Sequence, residues 1–143
     1  MPYQYRDDIA TADVAFEAWG ESLEETFIAA ADATMNVMVE DVSSIGRVHQ
    51  ITVELGHDQL DLLLFSFLNE LIFLKDTRKL LLRVHAIAIG MEEAKYTLKG
   101  TLYGETPEAG RHRLLTDVKA VTLHRFSLKQ AEEGWNAFVI LDI

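Results

Sequence analysis

The spacing of apolar residues changes along the chain from a period of two to one near four, and later returns to two. From Asp13 to Trp19 the residues alternate: Val14, Phe16 and Ala18 share one face, and Asp13, Ala15 and Glu17 the other. That is the period of a half-buried strand. Tyr3 to Arg6 reads as a short strand before it. Gly20 ends the alternation, and Ser22-Leu23-Glu24-Glu25 comes next as a capping box. In such a box the Ser22 hydroxyl accepts from the Glu25 amide while the Glu25 side chain reaches back. It opens a predicted helix to about Val39, with Leu23, Phe27, Ala31 and Met35 or Met38 on its buried stripe. Arg47 to Leu55 is a predicted strand with Ile51, Val53 and Leu55 on one face.

Gly56-His57-Asp58 reads as a turn, with Asp58 as the N-cap of a second helix to about Leu74. That helix is apolar almost all round, which places it at the centre of the fold. Lys75 to Lys79 turns the chain, and the remainder reads as strand: Leu80 to Ile89, Ala94 to Tyr103, Thr116 to Leu128 and Trp135 to Ile143. The connections are Gly90 to Glu93, Gly104 to Arg113 and Lys129 to Gly134. Short connections imply antiparallel hairpins. The order β-β-α-β-α-β-β-β-β predicts an α+β fold, two helices packed on largely antiparallel sheet.

Length and charge narrow the class. A chain of 143 residues is expected to form a single domain, residues 1–143, with a real core. Acidic residues number 23 against 13 basic, a net charge of −10. A field of that sign opposes phosphate backbones, so stable direct nucleic-acid binding is not expected; it suits a cation or a basic protein surface. Without cysteine there is no disulfide, thiolate site or thiol nucleophile. Met1 to Asp8 does not read as a signal peptide. The longest apolar stretch, Leu60 to Leu74, is broken by Asp61, Ser66, Asn69 and Glu70. It is also shorter than the roughly 20 apolar residues that span a bilayer. No membrane partner and a cytoplasmic location are expected.

The candidate chemistry lies at the two ends. Asp13 and Asp142 each stand beside apolar strand residues, and Ile143 is the last residue given. Antiparallel pairing of the first alternating strand with the last would bring Asp13, Asp142 and the Ile143 carboxylate together. Clustered oxygen anions repel one another unless a cation or proton joins them. An all-oxygen set suits Ca²⁺, Mg²⁺ or Mn²⁺. The spacing is no established metal motif, and two solvated strand ends fit the same residues.

Lys119 sits among small and apolar neighbours and could reach a carboxylate or a partner's phosphate, or snorkel at a sheet edge. Gly110-Arg111-His112-Arg113 is the most basic short stretch, a docking loop or a solvated one. Glu70 on the second helix could face solvent or a charge such as Lys119. His57 and His124 read as structural. Phosphate loops, nucleophile elbows and zinc-protease motifs are absent from the sequence.

Taken together, several stretches resemble the archease family. They are Thr11 to Gly20, Leu68 to Asp76, Arg111-His112, Val118 to His124 and Leu141-Asp142-Ile143. The chain departs from the family pattern at Ala10, where a histidine is usual, and at Leu123, where a tyrosine is usual. The resemblance implies an archease-like fold and a non-catalytic protein that activates an RtcB-type tRNA-splicing RNA ligase. Archeases promote guanylylation of that ligase and its multiple turnover. The resemblance also implies a metal site at Asp13, Asp142 and the Ile143 carboxylate, holding a hard divalent cation (Ca²⁺ foremost, Mn²⁺ or Mg²⁺ otherwise). Lys119 matches a lysine of the family's functional surface. Two other classes are a general chaperone or interaction module, which needs an exposed apolar patch, and a small metal-dependent hydrolase, which needs an open coordination position with a base beside it.

Overall fold

A computed structural model describes residues 2–6 and 13–143. In chain order the elements are β1 (Tyr3–Arg6), β2 (Asp13–Gly20), α1 (Leu23–Met38), β3 (His49–His57), α2 (Leu60–Arg78), β4 (Leu81–Glu92), β5 (Lys95–Glu105), β6 (Ala120–Ala131) and β7 (Gly134–Asp142), with a 3-10 turn at Val42–Ser44. One sheet has the order β1-β2-β7-β6, the other β3-β5-β4. All strand pairs are antiparallel, and both helices touch both sheets. This is the expected α+β architecture.

The capping box forms with one change. Ser22 Oγ accepts from the Glu25 amide at 3.1 Å, and Glu25 Oε2 accepts from the Glu21 amide at 2.9 Å, one residue earlier than predicted. Phe27, Ala31, Met35 and Met38 are buried as expected, and Ala29, Ala30 and Ala33 are buried beside them. These small residues widen the buried stripe, so that α1 packs on β2 and β7 on one side and β4 on another. Of the two helices, α1 is therefore the more deeply covered. In α2 a seam of Leu63, Leu64, Phe67, Leu68, Leu71 and Ile72 is buried, while its other face is half-buried and Phe73 is exposed.

Several boundaries differ from the sequence reading: β3 runs through His57, α2 continues to Arg78 so that Lys75 to Arg78 are helical where a turn was expected, and β4 and β5 run on to Glu92 and Glu105. Gln59, not Asp58, holds the N-cap position of α2, and no side chain caps it. The Asp58 carboxylate turns instead to His57, 2.9 Å from Nδ1. The strand expected from Thr116 begins only at Ala120. Upstream of it, the Leu115 and Thr116 amides donate to the Met38 and Val37 carbonyls at 2.9 and 3.2 Å. A helix leaves its last carbonyls without internal partners, and at the end of α1 this segment supplies the missing donors.

The register of β2 on β7 is pinned far from its charged end. Gly134 has φ 142°, in the left-handed region that favours glycine, and a Cβ there would lie 2.1 Å from the Gly20 carbonyl oxygen. That close approach fixes the turn between β6 and β7 against the end of β2. From it the ladder runs through Gly20↔Trp135 and Phe16↔Val139 to Asp13↔Asp142.

Candidate functional site

That ladder ends with two carboxylate residues face to face. Asp13 and Asp142 are direct partners across β2 and β7, and both are half-buried. Residues directly opposite in an antiparallel pair project to the same face with Cβ atoms about 4.5–5.5 Å apart, and like charges there destabilise the sheet. On its other side Asp142 is partnered by Ala120 of β6, and its carbonyl accepts from the Lys119 amide at 2.8 Å. Ile143 packs its side chain against the main core, which holds its main chain beside Asp142. The exposed Lys119 thus adjoins the carboxylate pair through its backbone, outside the strand in which it was expected.

Lys75 stands behind this site. Its ammonium donates to Asp117 Oδ1 at 2.7 Å and to the Val118 carbonyl at 2.9 Å, and lies 2.5 Å from Asp76 Oδ1. Burial acts to lower its pKa, but its hydrogen bonds to the Asp117 and Asp76 carboxylates outweigh that and raise it above the ordinary lysine value. The sequence places Lys75 in a turn and gives it no role. The one signal is its place directly after the apolar run of α2.

The basic stretch Gly110 to Arg113 is exposed except at His112, and its charges are paired within the fold. Arg111 grips the buried Glu105 with both terminal nitrogens, and reaches Glu108 Oε2 at 2.7 Å and the Ser44 carbonyl at 3.1 Å. Glu105 Oε2 also accepts from the Gly46 amide. His112 is buried, with Nε2 3.2 Å from Glu105 Oε2, and its Nδ1 accepts from the Glu108 amide at 2.8 Å. An Nδ1 that accepts leaves the proton on Nε2, so His112 is a neutral donor to Glu105. Arg113 pairs with Glu40 at 2.9 Å. Hydrogen bonding from Arg111 outweighs burial and, with the Gly46 amide, holds the Glu105 carboxyl down at about 2. This clasp ties the segment after β5 to the loop before β3.

Among the described residues no ion pair joins Glu70 to Lys119. Leu123 and His124 are exposed where β6 loses register against β7, between Thr122 and Ser127. Arg125 takes φ 56° there and lies over the Phe138 ring at 5.1 Å, while Phe126 meets Phe65 of α2 edge to face. Ala10 lies outside the described residues.

Among the described residues no group of three or more His, Cys, Asp or Glu side chains is placed to hold a metal ion. Asp13 and Asp142 with a main-chain oxygen of Ile143 form an all-oxygen set, which fits a hard cation in type. A Ca²⁺ ion takes about six to eight oxygens, so most of its positions would fall to water or to a partner.

Comparison with known proteins gives a consistent picture. Residues 3–143 match the Archease protein family (MTH1598/TM1083). The archease of Pyrococcus furiosus is 35% identical over 134 residues, 93% of this chain and 94% of that one. The solution structure of protein 1598 from Methanobacterium thermoautotrophicum is 34% identical, covers 99% of both chains and superposes with a TM-score of 0.85. A Thermotoga maritima archease, described as a possible chaperone, shares the fold at 19% identity and a TM-score of 0.58, over 96% of this chain and 97% of its own.

Proposed function

The chain belongs to the archease family, and from that membership we propose that it is a non-catalytic activator of an RtcB-type tRNA-splicing RNA ligase. The observation that carries the reading is the Asp13↔Asp142 pair at the end of the β2–β7 ladder. Two facing carboxylates call for positive charge. Asp13, Asp142 and Ile143 are the residues that would hold a divalent hard cation, Ca²⁺ foremost and Mn²⁺ or Mg²⁺ otherwise. Such a cation would supply a positive charge that no side chain among the described residues brings to the pair.

In this reading the carboxylate end docks at the mouth of the ligase active site, where metals and phosphate-binding basic groups concentrate. A net charge of −10 favours that encounter, and the exposed Lys119, joined to Asp142 through its backbone amide, is available for an oxygen of the partner. A turnover effect requires the activator to bind some ligase state better than the stalled product complex, because a ligand shifts an equilibrium only through differential affinity. The test mixes the protein with purified ligase, GTP and Mn²⁺. Faster guanylylation is expected, and its loss in Asp13→Ala and Asp142→Ala. Full activation by both variants overturns the carboxylate reading.

A second reading, a general chaperone, has its own observation. Leu114 and Leu115 are 53% and 51% exposed on the rim of a cavity of about 320 Å³ that Pro107, Leu80 and Lys79 also line. It predicts metal-independent suppression of aggregation of unrelated clients, lost in Leu114→Ser/Leu115→Ser.

A further inference from the structure

The carboxylate pair is held from both sides, and the two supports differ. On the β2 side Asp142 sits in a regular ladder. On the β6 side the regular strand stops at Ala120, and the next support is a single peptide group, Val118–Lys119. The N–H of that group donates to the Asp142 carbonyl at 2.8 Å. Its C=O accepts from Lys75 Nζ at 2.9 Å. In a trans peptide the N–H and C=O bonds point to opposite sides within one plane, so that their dipoles add. A cation at the oxygen polarises the amide and strengthens the bond that its N–H makes. Lys75 therefore acts on Asp142 through one peptide.

The donor count separates the roles of the two lysines. An ammonium has three hydrogens. Those of Lys75 are matched by Asp117, Asp76 and the Val118 carbonyl, and its side chain is only 13% exposed. It has no donor left for a cation's water or a partner's phosphate. Lys119 is exposed and is anchored through its backbone amide. We propose that Lys75 is a positioning residue: its charge sets the plane of the Val118–Lys119 peptide and so fixes both Asp142 and the direction in which Lys119 leaves the surface. This rests on the reading of Asp13 and Asp142 as the functional carboxylates.

The test uses the full chain and two readouts. The first is hydrogen exchange at the Lys119 amide. Lys75→Met keeps the length of the side chain and removes every donor. Exchange at Lys119 should accelerate about tenfold, the scale of one charge-assisted hydrogen bond, with the amides of α1 unchanged. The second is Mn²⁺ affinity with Mn²⁺ alone as the probe, expected to weaken by about tenfold in Lys75→Met on the same scale. Should Lys75→Met fail to fold, Asp117→Asn removes one exposed partner of the ammonium and should shift both readouts in the same direction by less. Equal Lys119 exchange in wild type and variant overturns the proposal. Faster exchange with unchanged Mn²⁺ affinity overturns the link to the carboxylate pair. A wild type that binds no Mn²⁺ overturns the cation reading instead, and Lys119 exchange alone then decides whether Lys75 positions this peptide.

Discussion

Two carboxylate clusters in this protein have opposite electrostatic arrangements. Glu105 is buried and receives donors on both oxygens, from Arg111, His112 and the Gly46 amide. Asp13 and Asp142 are half-buried and face each other across a strand pair. They are held there by backbone contacts. A carboxylate surrounded by matched donors has nothing left to offer a ligand, and its worth is structural. A facing carboxylate pair to which no side-chain cation is joined among the described residues costs the fold something, and a partner or ion can supply that charge. The contrast explains why the most basic stretch in an acidic chain is an internal clasp, while the candidate site is acidic.

The comparison breaks most visibly at Glu105. Glu105→Gln leaves Arg111 with Glu108 as its remaining charge partner and turns an amide NH₂ toward groups that are all donors. Donors left unmatched around a buried side chain cost their desolvation, and more where the hydrogen bond was to a charged group. Thermal unfolding should show a larger fall in midpoint for this variant than for any single substitution at Asp13 or Asp142. An equal fall at both clusters would mean that the donors around Glu105 count for little.

Acid sharpens the same contrast. The Glu105 carboxyl is held at about 2 against an ordinary value of 4.5. A depressed folded-state pKa contributes stability that is fully present above the unfolded value and is lost as pH falls through the folded one. The stability difference between wild type and Glu105→Gln should therefore be constant above about pH 5 and shrink toward about pH 2. Urea titrations across that window check it, and a difference independent of pH refutes the assigned charge.

The same division separates the parts of the molecule that the sequence makes legible from those it does not. The alternation from Asp13 to Trp19 and the apolar run into Asp142 name the two strands, and antiparallel pairing alone puts their charged ends together. Ser22 and Glu25 mark the start of α1 because a cap is a local contact. The clasp is not legible, since Gly46, Glu105 and Arg111 meet only in three dimensions, so a basic loop looks solvated. Thr116 to Lys119 has strand-like composition, but its first amides are drawn to the end of α1. Lys75 escapes notice for a related reason: Asp117 and Val118, which give it a role, lie 42 and 43 residues away.

At the strand ends the expected effect is a response to ions. If Asp13 and Asp142 hold a cation in the folded state only, Ca²⁺ or Mn²⁺ at 100 times its Kd should stabilise the wild type by about 2.7 kcal/mol. Asp142→Ala should show no such gain. A rise of the same size in both proteins would place the ion elsewhere.

The smallest effect discriminates best. In chelator, without any divalent cation, Asp142→Asn removes one of two like charges placed directly opposite each other. Cross-strand pairs of this kind are worth roughly 0.2–1 kcal/mol, so this variant should be slightly more stable than the wild type, and Asp13→Asn likewise. The double variant should gain less than the sum of the two, because either change alone already relieves the repulsion. Such a sign is unusual, since most substitutions at half-buried positions destabilise. Two solvated strand ends that do not interact would instead give additive changes near zero. A gain in chelator that reverses when Ca²⁺ or Mn²⁺ is added would mark Asp13 and Asp142 as residues kept at a cost to the fold for the charge they receive from outside it.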